Sequence, residues 1–319
     1  MPAQMKSDFW QPRRLGHANL FIGDYERAAD YYRDVVGFQE VYRQPDNMAT
    51  FVSNGNTYHD LGLTDLRSRY AKPGQSAGVW HYAFEVETEV DLVAGYRRAL
   101  KAGVKFEFTE DHDVAHSLYL LDPDGMLIEI YADVIKDWRS ARHGVIIKEK
   151  PKYIPGVTSK PNEERNYPLE PSIERVENAV FHSRRCNHVG IVAQNYEAMF
   201  RFYTDVVGLA PLAGSVDGSH AVLRGSYATS ALTLYRQRPG LRPGLHHVGF
   251  EVWDEDDLER GLVRLHEAGI AVERALEHAA RRSVCIRDPD GIRLQFYVDR
   301  NWTSDALATL EDDAALFLL

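Results

Sequence analysis

The sequence has 319 residues, 44% of them hydrophobic, including 5 Trp and 13 Phe, which is enough apolar material for two ordinary domains with cores of their own. A formal net charge of −10 argues against a nucleic-acid or anionic-membrane partner, both of which need basic patches, and leaves a small molecule drawn in by a local site. Residues 1–8 carry no apolar run able to act as a signal peptide, and no stretch approaches the roughly 20 apolar residues of a membrane span, so a cytoplasmic location is expected.

Taken in chain order, alternation over 15–22 predicts a strand, Asp24 a helix cap, and residues 25–36 a helix that stops at Gly37. Strand-like runs at 38–43, 49–52 and 57–63 complete one β-α-β-β-β unit. A second unit follows: strand 79–87, helix 89–102 ending at Gly103, then strands near 105–108, 117–121 and 126–131 around the turn Asp122-Pro123-Asp124-Gly125. Residues 132–182, with Pro151, Pro155, Pro161, Pro168 and Pro171 among many charges, are expected to run over the surface as a connector. The plan then returns as strand 187–193, helix 196–207, three short strands to Tyr235, strand 247–253, helix 255–268 and two strands around Asp288-Pro289-Asp290-Gly291. Residues 301–319 form an acidic-apolar tail, expected to be helical and assigned no function. The predicted organisation is α+β, two tandem modules over 1–135 and 185–300 with a connector over 136–184 and the tail after them.

Between the two copies the chemistry is unequal. Gly16-His17-Ala18-Asn19 is matched by Asn187-His188-Val189-Gly190, Trp80-His81-Tyr82-Ala83 by His246-His247-Val248-Gly249, but Ile128-Glu129-Ile130-Tyr131 by Leu294-Gln295-Phe296-Tyr297. The first copy has two histidines and a carboxylate at corresponding places, and the second has exchanged the carboxylate for an amide. Cys186 and Cys285 read as small buried hydrophobes rather than a disulfide framework.

Residues 14–131 and 186–299 resemble the vicinal oxygen chelate superfamily, and within it the two-module type I extradiol ring-cleavage dioxygenases. The signature near the last strands of that family reads here as His112, Leu118-Tyr119, Asp122-Pro123-Asp124-Gly125 and Glu129, with Glu110 standing where a smaller residue is usual. The resemblance implies that each module folds its two units into a half-open barrel that cups a metal, with His17, His81 and Glu129 as ligands in the first. Two neutral imidazoles and one carboxylate form the facial triad suited to non-haem Fe(II), preferred to Mn(II), and leave positions open for both catechol oxygens and O2. It further implies that His59, on the fourth strand, is the acid-base residue, and that His112 and Tyr119 bond the substrate oxygen and orient the ring.

At the same offsets the second copy has His188, His247 and His278, but Gln295 for Glu129, Cys285 for Tyr119 and Ser230 for His59, so it is expected to be catalytically dead. The expected activity is cleavage of a catechol-type aromatic diol by O2, in a homo-oligomer of the kind its relatives commonly form. Three other readings compete: a glyoxalase-type metal-dependent isomerase or lyase, which would want a second carboxylate on the fourth strand; a non-catalytic binder of a small aromatic molecule; and a site shared between modules, in which His17 meets His247. Arg142 and His143 would lie near the cavity if the connector folds back over it.

Overall fold

The computed structural model describes residues 9–147, 150–165, 173–308 and 310–319; residues 1–8, read above for a signal peptide, and Pro168 and Pro171 of the connector lie outside the described residues. The first unit comprises β1 (Arg14–Ile22), α1 (Tyr25–Tyr31), β2 (Gln39–Gln44), β3 (Ala49–Ser53) and β4 (Leu61–Asp65). The second comprises β5 (Gly78–Glu85), α2 (Glu89–Lys101), β6 (Phe108–Asp111), β7 (Ala115–Leu121) and β8 (Leu127–Asp133). A short connector strand, β9 (Gly144–Val145), completes a sheet in the order β6-β7-β8-β5-β1-β4-β3-β2-β9. The units join where β1 runs antiparallel to β5.

The second module repeats the plan with β10 (Ser183–Ala193), α3 (Tyr196–Arg201), β11 (Ala210–Gly214), β12 (His220–Arg224), β13 (Leu232–Arg236), β14 (Gly244–Val252), α4 (Glu255–Glu267), β15 (Val272–Glu277), β16 (Arg281–Arg287) and β17 (Arg293–Asp299). Its sheet order is β11-β12-β13-β10-β14-β17-β16-β15, and α5 (Ser304–Leu307) and α6 (Asp312–Leu318) follow. The α+β fold of two repeated modules is as expected. No helix among the described residues is long and apolar enough to cross a membrane.

Several local departures have physical causes. Asp24 caps α1 by accepting the N–H groups of Glu26 and Arg27, but the predicted helix 25–36 changes at Tyr32 into a wider π-turn, Tyr32–Val36. Gly37 ends it at φ 86°, and Gly208 ends the equivalent turn Phe202–Val207 at φ 92°. The fourth strand begins at Leu61 rather than 57, because Ser53 and Asn54 turn the chain by accepting the N–H groups of Gly55 and Asn56. The strand expected at 105–108 lies at Phe108–Asp111, where pairing with β7 through Glu110↔Ser117 sets its register. β15 was not foreseen at all.

The modules share one apolar core, in which Phe38 of the first meets Phe250 of the second with ring centroids 5.7 Å apart. Each module's Asp-Pro-Asp-Gly turn is also claimed by the other: Tyr32 donates to Asp288 at 3.1 Å and Tyr203 to Asp122 at 2.8 Å. Both cysteines are buried and neither forms a disulfide.

Candidate metal centre

Strands β8, β5 and β1 are adjacent, and their register brings three distant points of sequence together. His17 and Glu129 both lie opposite Ala83, while His81, two residues from Ala83, projects from the same face of β5. Nε2 of His17 and Nε2 of His81 lie 3.1 and 3.2 Å from the same carboxylate oxygen, Oε2 of Glu129. All three ligand atoms fall within 4.8 Å of one another, and no other group of three such side chains meets that criterion among the described residues. The other carboxylate oxygen, Oε1, accepts from Ser117 on β7 at 2.5 Å. Ser117 had not been singled out, although its β7 position opposite Tyr131 of β8 places it on the cup-lining face.

Burial would push the Glu129 carboxyl upward, but the imidazoles of His17 and His81 outweigh it and hold that carboxyl well below the usual range. Burial lowers His81, with Glu129 opposing. The site therefore presents two imidazole nitrogens and an ionised carboxylate to one point. That is the donor set of a divalent transition-metal ion.

Above the triad opens a cavity of about 470 Å³, walled largely by aromatic rings including Tyr42, Phe51, Tyr58, Trp80 and Phe108. His59 lines it with its ring 4.1 Å from that of His17, although it stands on the 54–60 loop and not on the fourth strand. The loop is fixed all the same. Asp60 accepts from Ser53 at 2.7 Å, Asn56 at 3.2 Å and the Cys186 N–H at 3.1 Å, and Asn54 donates to the carbonyls of Ser183 and Arg184 in the second module. Burial and the neighbouring His17 lower the His59 pKa well below its ordinary value, and its Nδ1 faces the Tyr42 hydroxyl at 3.5 Å. Across the cavity His112 Nε2 and the Tyr119 hydroxyl are 3.0 Å apart. Burial, then Lys150, lowers His112, while burial and Glu129 raise the Tyr119 phenol well above its ordinary value, so that it keeps its proton.

The connector is not merely a surface strap. It adds β9 to the sheet edge beside β2, buries Trp138 and Tyr153, and sends Arg142 and Lys150 into the cavity wall. His143 is not among the lining residues.

The second cup is closed. His188 and His247 face one another, Nε2 to Nε2 at 3.1 Å, with no carboxylate between them, so His17 meets His81 and not His247. A Cβ on Gly249 would come within 2.2 Å of the His188 ring, which shows how far that ring leans onto the bare backbone of β14. Gln295 donates to the Phe317 carbonyl at 2.9 Å, Ser283 to the same oxygen at 2.7 Å, and Tyr235 to the Leu319 carbonyl at 2.8 Å. Arg281 stands opposite Asp299 as Ala115 stands opposite Asp133 in the first module. Its fully buried guanidinium lies 3.6 and 3.7 Å from the ring centroids of Tyr297 and Trp302, bonds Asp299 at 2.6 Å and donates to the Leu318 carbonyl at 3.1 Å. The tail, helical as expected, is thus the filling of this cup.

Catechol-2,3-dioxygenase of Bacillus subtilis (strain 168) is 27% identical to this chain over 244 residues, 75% of this chain and 74% of that one. Metapyrocatechase 2 of Cupriavidus necator is 33% identical over 128 residues, 39% of this chain but only 37% of that protein's length. The 2,3-dioxygenase LapB from Pseudomonas sp. KL28 superposes with a TM-score of 0.66 at 16% identity, covering 91% of this chain and 93% of that one. A profile of the same fold matches residues 14–130 and 185–296, the two repeats whose strands build the open cup and the closed one, and the chain accordingly belongs to the Glyoxalase/Bleomycin resistance protein/Dioxygenase superfamily.

Proposed function

We propose that this protein is an extradiol dioxygenase, which opens the aromatic ring of a catechol-type diol with O2 at a metal held by His17, His81 and Glu129 of the first module. The convergence of those three side chains at the floor of an aromatic-walled cavity is the observation that carries this reading. Two imidazole nitrogens and one carboxylate oxygen fit Fe(II), in preference to Mn(II), and leave room for other ligands. Bound there, the metal would supply the Lewis acidity that acidifies the diol and the electrons that activate O2.

The protein's own residues manage protons and orientation. His59, kept neutral by burial and with Nδ1 turned to Tyr42, offers Nε2 to take the proton of a substrate hydroxyl and later return it. Tyr119 keeps its phenolic proton and donates to the substrate oxygen, with His112 holding the phenol in place. The aromatic walls flank the ring and exclude water from it.

A glyoxalase-type isomerase would want a second carboxylate from the fourth strand, whereas here His59 reaches the site from the loop before that strand. A non-catalytic binder would have no use for the Glu129 and Tyr119 that the second module has lost. In this reading residues 1–135 are the catalytic module, 185–300 its degenerate partner, and the enzyme a cytoplasmic homo-oligomer. Anaerobic reconstitution with Fe(II) or Mn(II), followed by a catechol panel, tests it. The expected result is O2 uptake with a yellow ring-opened product; metal-loaded protein that consumes no O2 with alkyl-, aryl- or carboxyl-substituted catechols would overturn it.

A further inference from the structure

Apart from the triad, the cavity wall carries Arg69, Arg142 and Lys150 against a single carboxylate, Glu110, in a protein whose net charge is −10. Glu110 accepts from Lys150 at 2.8 Å, and these two largely cancel. Arg69 is exposed and lies over the Tyr70 ring, 5.1 Å from its centroid. Arg142 is different: only 4% of it is exposed. Its Nη2 donates to the His112 carbonyl, and its nearest carboxylate oxygen, on the partly exposed Asp113, is 3.6 Å away. Its Nε is buried with no hydrogen-bond partner, and the guanidinium lies 5.1 Å from the Tyr42 ring centroid.

A guanidinium taken out of water and left with one weakly placed counter-charge is costly unless something else pairs with it. Its backbone is held for that purpose, since the Arg142 N–H bonds the Trp138 carbonyl at 2.7 Å and Trp138 is buried. A planar guanidinium with a free N–H is the side chain best matched to a carboxylate, and the surrounding rings strengthen the attraction by lowering the local dielectric.

We infer that Arg142 anchors an anionic substituent of the substrate, so that the preferred diol carries a carboxylate on a side arm of its ring. This rests on the catechol reading above and narrows its substrate class. It also answers how an acidic protein gathers an anion: the charge that attracts it is local and comes from the connector.

The test compares 3,4-dihydroxyphenylacetate with its neutral amide on the metal-loaded enzyme. The wild type should favour the acid by tenfold or more in kcat/KM, chiefly through KM. Arg142→Met should bring the acid-to-amide ratio to within about twofold of unity, and Arg142→Lys should retain part of it; each variant's amide value serves as its own reference against general damage. Binding to the metal-free protein is measured in parallel by calorimetry with phenylacetate and phenylacetamide, which cannot be ring-opened. Acid preference there, lost in Arg142→Met, would sustain the anion site even if no catechol were turned over. Equal affinity for acid and amide in the wild type, or a ratio unchanged by Arg142→Met, would overturn it whether or not the enzyme cleaves catechols.

Discussion

Replacing Arg281 by alanine should unseat α6 without touching the catalytic cup. The buried guanidinium bonds Asp299 at 2.6 Å, donates to the Leu318 carbonyl and lies between the rings of Tyr297 and Trp302. Removing one member of a buried pair costs about 3–5 kcal/mol, and Asp299, which is 26% exposed, can rehydrate, so the pair itself contributes toward the lower figure. Loss of two ring contacts adds about 1 kcal/mol each, and relief of the guanidinium's own desolvation returns part of the sum. A net loss of about 3–5 kcal/mol is expected. Urea unfolding followed by tryptophan fluorescence measures it, with metal content assayed under native conditions and expected to stay near one per chain. Arg281→Lys, which keeps the charge but not the planar stack, should fall in between. A loss below about 1 kcal/mol would show that the guanidinium does not hold the filling in place.

The remaining predictions concern the two cups and their shared interface. His81→Ala should abolish metal binding and ring cleavage while His247→Ala leaves both in place, and equal loss in metal analysis would sink the assignment of the site to one module. His59→Ala should retain metal and catechol binding but lose on the order of 100-fold or more in turnover; activity within about threefold of the parent would remove His59 from proton transfer. Burial pushes the Asp288 carboxyl up to about 6. With an unfolded value near 3.9, the native state holds the extra proton, so this group's contribution is fully present below about pH 4 and lost as pH rises through about 6, to a ceiling of about 3 kcal/mol. Asp288→Asn should therefore flatten the stability profile between pH 4 and 7, and parallel urea-midpoint profiles for the two proteins would refute the shift.

His17, His81 and Glu129 were legible because strand alternation and the duplicated motif each mark them, and the second copy shows by contrast which of them is missing. Elsewhere local pattern competed with tertiary contacts. His59 lies between Tyr58 and Leu61, which read as strand, yet the side chains of Ser53 and Asn54 turn the chain, and contacts from Asn56, Arg139 and β10 hold the resulting loop. Arg142 and Lys150 had no periodicity to mark them as cavity residues, since the connector's course depends on where β9 finds an open strand edge. Arg281 was invisible as a substitute for Ala115 until the pairing with Asp299 aligned the two strands. The role of α6 depended on a cup whose emptiness could not be read from its own residues.

The exchange of contacts across the middle of the molecule bears on how such a duplicated gene can age. Tyr32 and Tyr203 each reach into the opposite module's turn, and the loop beneath His59 hangs on the carbonyls of Ser183 and Arg184. The module that has Gln295 in place of a carboxylate still presents the surface that holds the His59 loop of the other in shape. Deleting it would strip the first module of half its apolar core and of the contacts under the His59 loop, so the two halves are structurally inseparable. A chain shortened to the first repeat would expose that core and leave the loop unsupported, and the closed cup is constrained in its own way by the buried contacts of Arg281, Ser283 and Gln295 with the tail.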